Sequence, residues 1–126
     1  MSAALSGVGL ALVEVPRFRA ALERRGEAFA QRVFSPGEFA YARGKRTGWE
    51  NLAARFAAKL AGRAALRERL GRAVPLAGLE VTRLRSGAPV LALTALARVD
   101  ESLALHLSLT HDADFALASV FVEAAR

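Results

Sequence analysis

In Ala104–Thr110 apolar and polar residues alternate strictly. Leu105, Leu107 and Leu109 fall on one side, and His106, Ser108 and Thr110 on the other. A period of two belongs to a strand half-buried against a core, because successive side chains leave a pleated chain on opposite faces. His111-Asp112-Ala113-Asp114 has turn chemistry, and Phe115–Glu123 alternates again. The C-terminal stretch is therefore expected to form an antiparallel hairpin.

A second pattern has helical spacing. Leu52, Phe56 and Leu60 recur every four residues, with Trp49 three before them. They predict a long helix with this core stripe, and Arg55, Lys59 and Arg63 repeat along a neighbouring face. Gly7–Val15 is an apolar run of strand length, bounded by Pro16, which suits the first turn of a helix running to about Gly26. On that helix Arg17 and Arg24 share a face, with Arg25 beside them. Glu27–Phe34 continues helically. Ser35-Pro36-Gly37-Glu38 reads as a capping box opening a short helix to about Arg43. Leu79–Arg85 and Ala88–Leu93 flank the Ser86-Gly87 turn as two strands, and Thr94–Glu101 is a short helical candidate. The sum is a single α+β domain over 1–126, a small antiparallel sheet packed on one side by helices.

Composition narrows the function classes. An apolar fraction of 53% suits a packed core rather than a disordered chain, and the absence of cysteine excludes disulfides, thiolate metal sites and a cysteine nucleophile. No apolar run reaches the roughly 18 residues of a membrane span. Met1–Ser6 lacks the basic start of a secretory signal, so a cytoplasmic location is expected. The net charge is +6, and sixteen of the eighteen basic residues are Arg. Such a chain suits acidic partners: a phosphorylated cofactor, an acidic protein or nucleic acid. Nucleic acid has only the charge behind it, since the nine aromatics show no stacking pattern with the basic residues. The basic Gly44–Gly48 loop lacks the spacing of a P-loop. Arg63–Arg72 is either a solvated helix end or a phosphate patch. His106 reads either as a general base or as a hydrogen-bonded strand residue. No set of converging carboxylates is legible, so no metal ligand is assigned.

The motifs in order resemble the holo-[acyl-carrier-protein] synthase family of 4′-phosphopantetheinyl transferases. Gly7-Val8-Gly9-Leu10-Ala11-Leu12-Val13-Glu14-Val15 is similar to the opening G-[IV]-G-x-D-[IL]-V-E-[IV] strand. Arg55-Phe56-Ala57-Ala58-Lys59 fits the signature R-F-A-x-K, Ser35–Glu38 the [ST]-x-x-E, and Ser86-Gly87-Ala88-Pro89 the G-x-P turn. His106-Leu107-Ser108-Leu109-Thr110-His111 fits H-[VIL]-S-[IL]-[ST]-H.

The resemblance implies transfer of the phosphopantetheine arm of coenzyme A to a serine of acyl carrier protein, by a trimer with active sites between subunits. It implies a catalytic role for His106 and Lys59. Arg55, Lys59, Arg63 and Ser108 would hold the cofactor, and Arg17, Arg24 and Arg25 the carrier protein. It also implies Mg²⁺ between a strand Asp and a helix Glu. Those two positions are Ala11 and Leu60 here, Ala64 replaces the second signature Lys, and Arg67-Glu68-Arg69 stands where the family has a Gly-rich turn. Two readings follow: a synthase with a divergent site, or a catalytically silent relative that keeps a carrier-protein or coenzyme A surface, or serves as a partner subunit.

Overall fold

A computed structural model of the chain describes residues 3–125. Met1 and Ser2, part of the segment inspected for a secretory signal, lie outside the described residues. The elements run β1 (Ala3–Glu14), α1 (Val15–Arg25), α2 (Glu27–Val33), α3 (Pro36–Ala42), α4 (Gly48–Leu70), β2 (Leu79–Arg83), β3 (Pro89–Leu93), β4 (Leu103–His111) and β5 (Phe115–Ala125). Pairing is antiparallel throughout, but the strands divide into two sheets rather than one. The larger has the order β1-β5-β4, and β2 and β3 form a separate hairpin.

The long helix α4 is central. Its fully buried face is made of alanines, Ala54, Ala57, Ala58, Ala61 and Ala65, at helical spacing. The reason is backbone proximity. A Cβ on Gly9 would stand 1.8 Å from the Ala61 carbonyl oxygen, and one on Gly7 2.0 Å from that of Ala65. Only glycine on the strand and small residues on the helix allow that approach. The expected stripe is met in part: Leu52 is buried, while Trp49, Phe56 and Leu60 are half-buried and pack against the core from its edge. These three turn toward the aromatic layer under α1, where the Phe18 ring lies 5.2 Å from Phe56 and 6.1 Å from Phe34, edge-on to the latter.

The capping box forms as expected: Ser35 Oγ accepts from the Glu38 N–H, and Glu38 Oε1 accepts from the Ser35 N–H. The segment Thr94–Glu101 yields only one 3₁₀ turn, Ala95–Ala97, ended by Arg98 in a left-handed conformation at φ 52°. Part of the Arg63–Arg72 run is structural. Arg69 makes a two-point pair with Glu101 at 2.9 and 2.7 Å, and Arg72 donates to the Ala97 and Arg98 carbonyls.

In the larger sheet Gly7, Gly9, Ala11 and Val13 face α4, while Val8, Leu10 and Leu12 face away, in register with Phe121, Ser119 and Leu117. That outward face is apolar and exposed, Leu10 by 71%.

Candidate functional site

Lys59 lies on the buried side of α4, with 0% of its surface exposed. Its ammonium contacts Glu38 Oε1 at 2.7 Å and donates to the Val33 carbonyl. Glu38 Oε2 accepts from the Val81 N–H at 2.9 Å. One carboxylate therefore caps α3, anchors β2 and neutralises α4. Burial lowers the proton affinity of Lys59, opposed by the Glu38 hydrogen bond and charge. Within the single chain the Lys59 ammonium is held inside the fold by Glu38 and the Val33 carbonyl, with none of its surface exposed.

Arg55, one turn earlier, is different. It is 2% exposed, yet among the described residues its Nε is the buried side-chain donor left without a partner. One Nη donates to the Asn51 carbonyl at 3.4 Å. The Tyr41 ring packs against three cations: Lys45 Nζ at 3.7 Å from its centroid, Arg55 Cζ at 4.1 Å and Arg83 Cζ at 4.8 Å. Burial, then the nearby charge of Arg83, lowers the proton affinity of Arg55, with Glu38 and Tyr41 opposing. At Tyr41 burial acts upward, but the Lys45 hydrogen bond and the three positive charges together outweigh it and lower its pKa. The result is a cluster of cations around one ring, with Arg55 buried and Lys45 and Arg83 exposed; such groups are the donors that suit phosphate oxygens. Lys45, Arg83 and Tyr41 were not singled out as site residues in sequence. Lys45 belongs to the basic Gly44–Gly48 loop, whereas nothing in the β2 pattern marks Arg83.

His106 and Ser108 lie elsewhere, on the outward face of β4. His106 Nε2 is hydrogen-bonded to Glu123 Oε1 on β5, a partner the sequence reading missed. Because α4 covers the inner face of the sheet, Arg55 and His106 stand on opposite sides of it within one chain. Arg63 is half-buried farther along α4. On α1, Arg17, Arg24 and Arg25 are all exposed. Arg17 pairs with Glu14 at 3.1 Å, and Arg25 lies 5.0 Å from the Phe29 ring centroid.

The positions matched to metal carboxylates do not fit a hard cation. Ala11 and Leu60 carry hydrocarbon only, and both pack against the core. Among the described residues no group of three or more Asp, Glu, His or Cys side chains could hold an ion.

A long helix laid on a three-stranded antiparallel sheet, with a cluster of cations around Tyr41 beside it, frames the candidate site. The family model described as the 4′-phosphopantetheinyl transferase superfamily matches residues 7–120, and the chain belongs to that superfamily. Within it, the chain is a member of the holo-[acyl-carrier-protein] synthase family. The holo-[acyl-carrier-protein] synthase of Solibacter usitatus is 40% identical over 121 residues, which cover 93% of this chain and 97% of that relative. The ACPS–CoA complex of Chronobacterium ammoniagenes is similar with a TM-score of 0.79 and 32% identity, over 100% of both chains. The apo-ACPS structure from the same organism gives 0.83 and 33%, over 99% of this chain and 100% of that one. The α+β fold expected from the resemblance is met. No helix among the described residues is long and apolar enough to cross a membrane.

Proposed function

We infer that the chain transfers the 4′-phosphopantetheine arm of coenzyme A to a serine of an acyl carrier protein. The observation that carries this reading is the likeness of the chain, over its full length, to a coenzyme A complex, with the exposed Lys45 and Arg83 gathered around the Tyr41 ring beside α4. Lys45 and Arg83 are exposed and can meet phosphate oxygens directly. In the reaction the serine oxygen bonds to phosphorus, and the bond from that phosphorus to the departing nucleotide phosphate breaks. His106, oriented by Glu123, takes the serine proton. Arg55, Lys45 and Arg63 hold phosphates, and Ser108 hydrogen-bonds the bound ligand. Arg17, Arg24 and Arg25 meet the acidic carrier protein. A cytoplasmic, single-domain protein goes with this reading.

The working form is a homotrimer. Two features support it: the apolar outward face of the larger sheet, and the placement of Arg55 and His106 on opposite sides of that sheet, so that a complete site needs a second copy.

A second reading has the replacement of both acids by Ala11 and Leu60 in its favour: a silent homologue that binds coenzyme A or carrier protein without turnover, or acts as a partner subunit. Mixing the chain with coenzyme A, Mg²⁺ and an apo carrier protein decides between them. A mass gain of one phosphopantetheine on the carrier supports transfer; saturable, salt-sensitive carrier binding without the gain supports the silent form. Arg17→Glu is expected to weaken carrier binding and flatten its salt dependence, read by titration at two ionic strengths. Unchanged binding removes Arg17 from that surface.

A further inference from the structure

We propose that this chain binds coenzyme A as a metal-free anion, because the groove between β1, α1 and α4 offers a divalent cation no usable ligand. The inference rests on the coenzyme A reading and deepens it.

The groove has a volume of 660 Å³, and Leu12, Phe18, Phe29, Phe56 and Leu60 give it hydrocarbon walls. Magnesium holds an octahedral shell of oxygens and sheds water reluctantly; in phosphate sites it rests on one or two carboxylates plus the phosphates themselves. Ala11 is the cross-strand partner of Ala118, so two methyl groups lie side by side on the inner face of the sheet, packed against the core next to the groove-lining Leu12. Against Leu60 a cation would lose hydration with nothing in exchange.

The one carboxylate lining the groove is Glu14, whose strand position faces outward opposite Phe115. It is already committed to Arg17 at 3.1 Å. The positive charge on the groove is guanidinium, from Arg17 and Arg25, the side chains given above to the carrier protein. The phosphates rest on the cations assigned to them above, Arg55, Lys45 and Arg63, and such groups engage phosphate oxygens directly without a metal.

Two measurements on the full chain test this. The first follows free Mn²⁺ by electron paramagnetic resonance as protein is added, with and without coenzyme A. The wild-type chain is expected to remove no Mn²⁺ beyond what coenzyme A removes alone, whereas Ala11→Asp/Leu60→Glu captures about one ion per chain when coenzyme A is present. If the double variant fails to fold, Leu60→Glu alone takes its place. The second compares coenzyme A affinity by calorimetry in chelator and in Mg²⁺, expected to agree within about twofold.

Stoichiometric Mn²⁺ capture by the wild-type chain overturns the proposal. So does a rise in coenzyme A affinity of about tenfold or more with Mg²⁺, the coupling of two ligands that share a site. A folded acid variant that captures no Mn²⁺ overturns the assignment to positions 11 and 60. Absence of coenzyme A binding in both buffers refutes the coenzyme A reading instead, and the Mn²⁺ titration without coenzyme A still reads the groove.

Discussion

Lys59 and Arg55 are one helical turn apart and meet opposite fates. The signature pattern treats both as cationic members of one face. The structure closes a carboxylate over Lys59 and leaves a donor of Arg55 unused. Spacing could not separate them, because the partner of Lys59 comes from α3, twenty-one positions earlier in the chain at Glu38. Removing one member of a buried pair strands the other charge, so Glu38→Ala is expected to lower stability by about 3–5 kcal/mol. The joint change Glu38→Leu/Lys59→Met costs less than Glu38→Ala alone. Urea unfolding of the two variants measures this, and equal losses would show that the pair is not what Glu38 protects. His106 is a separate case. If it takes the serine proton, His106→Ala lowers the transfer rate while coenzyme A affinity stays near wild type, read by single-turnover mass spectrometry and calorimetry. An equal loss of rate and binding makes it a structural residue of β4.

At the scale of elements, the parts with local causes were legible. The hairpin β4–β5 announced itself by alternation, and α3 by its capping box, whose two hydrogen bonds are both present. The packing of α4 was not legible, for a physical reason. Hydrophobicity ranks Leu52, Phe56 and Leu60 above alanine, so periodicity picks the large residues as the core stripe, and of these three only Leu52 is buried. What places the helix is instead the closeness of two backbones, which selects for the absence of side chain at Gly7 and Gly9 and for alanine opposite them. Thr94–Glu101 failed similarly: its helical look reflects composition, whereas Arg69 and Arg72 fasten it as a loop. The strand–helix contact makes a sharp prediction. Gly9→Ala puts a methyl group 1.8 Å from the Ala61 carbonyl oxygen, and because both neighbours are backbone neither can swing aside. The loss is expected at about 1–3 kcal/mol or more, seen as a lower urea midpoint. A midpoint unchanged from wild type would mean that β1 and α4 separate at little cost.

At the scale of the whole molecule, the question is what covers the sheet. Its inner face is filled by α4, while Leu5, Val8, Leu10 and Leu12 of β1, with Leu117 and Phe121 of β5, stand exposed on the other. A contiguous apolar surface of this kind is uncommon on a chain that works alone. The polar groups on it come from β4 and its partner positions: His106 meets Glu123, Ser108 lies opposite Ser119, and Thr110 opposite Leu117. In the proposed homotrimer the same face would hold both the contact surface and the side chain assigned to proton transfer, so assembly and activity would rise and fall together. Leu10→Glu, at a position 71% exposed in the single chain, leaves the fold of one chain undisturbed, because surface changes away from the core alter stability little. In the assembly it buries an unpaired charge, which is strongly unfavourable. Light scattering behind size exclusion is expected to give a multiple of the chain mass for wild type and the mass of one chain for Leu10→Glu, with an unchanged circular dichroism spectrum. Transfer activity should fall with the assembled fraction and return at high protein concentration, since mass action restores the contact. A wild-type chain that runs as a monomer while transferring at full rate would show that one copy holds a complete site, and that the apolar face serves another purpose.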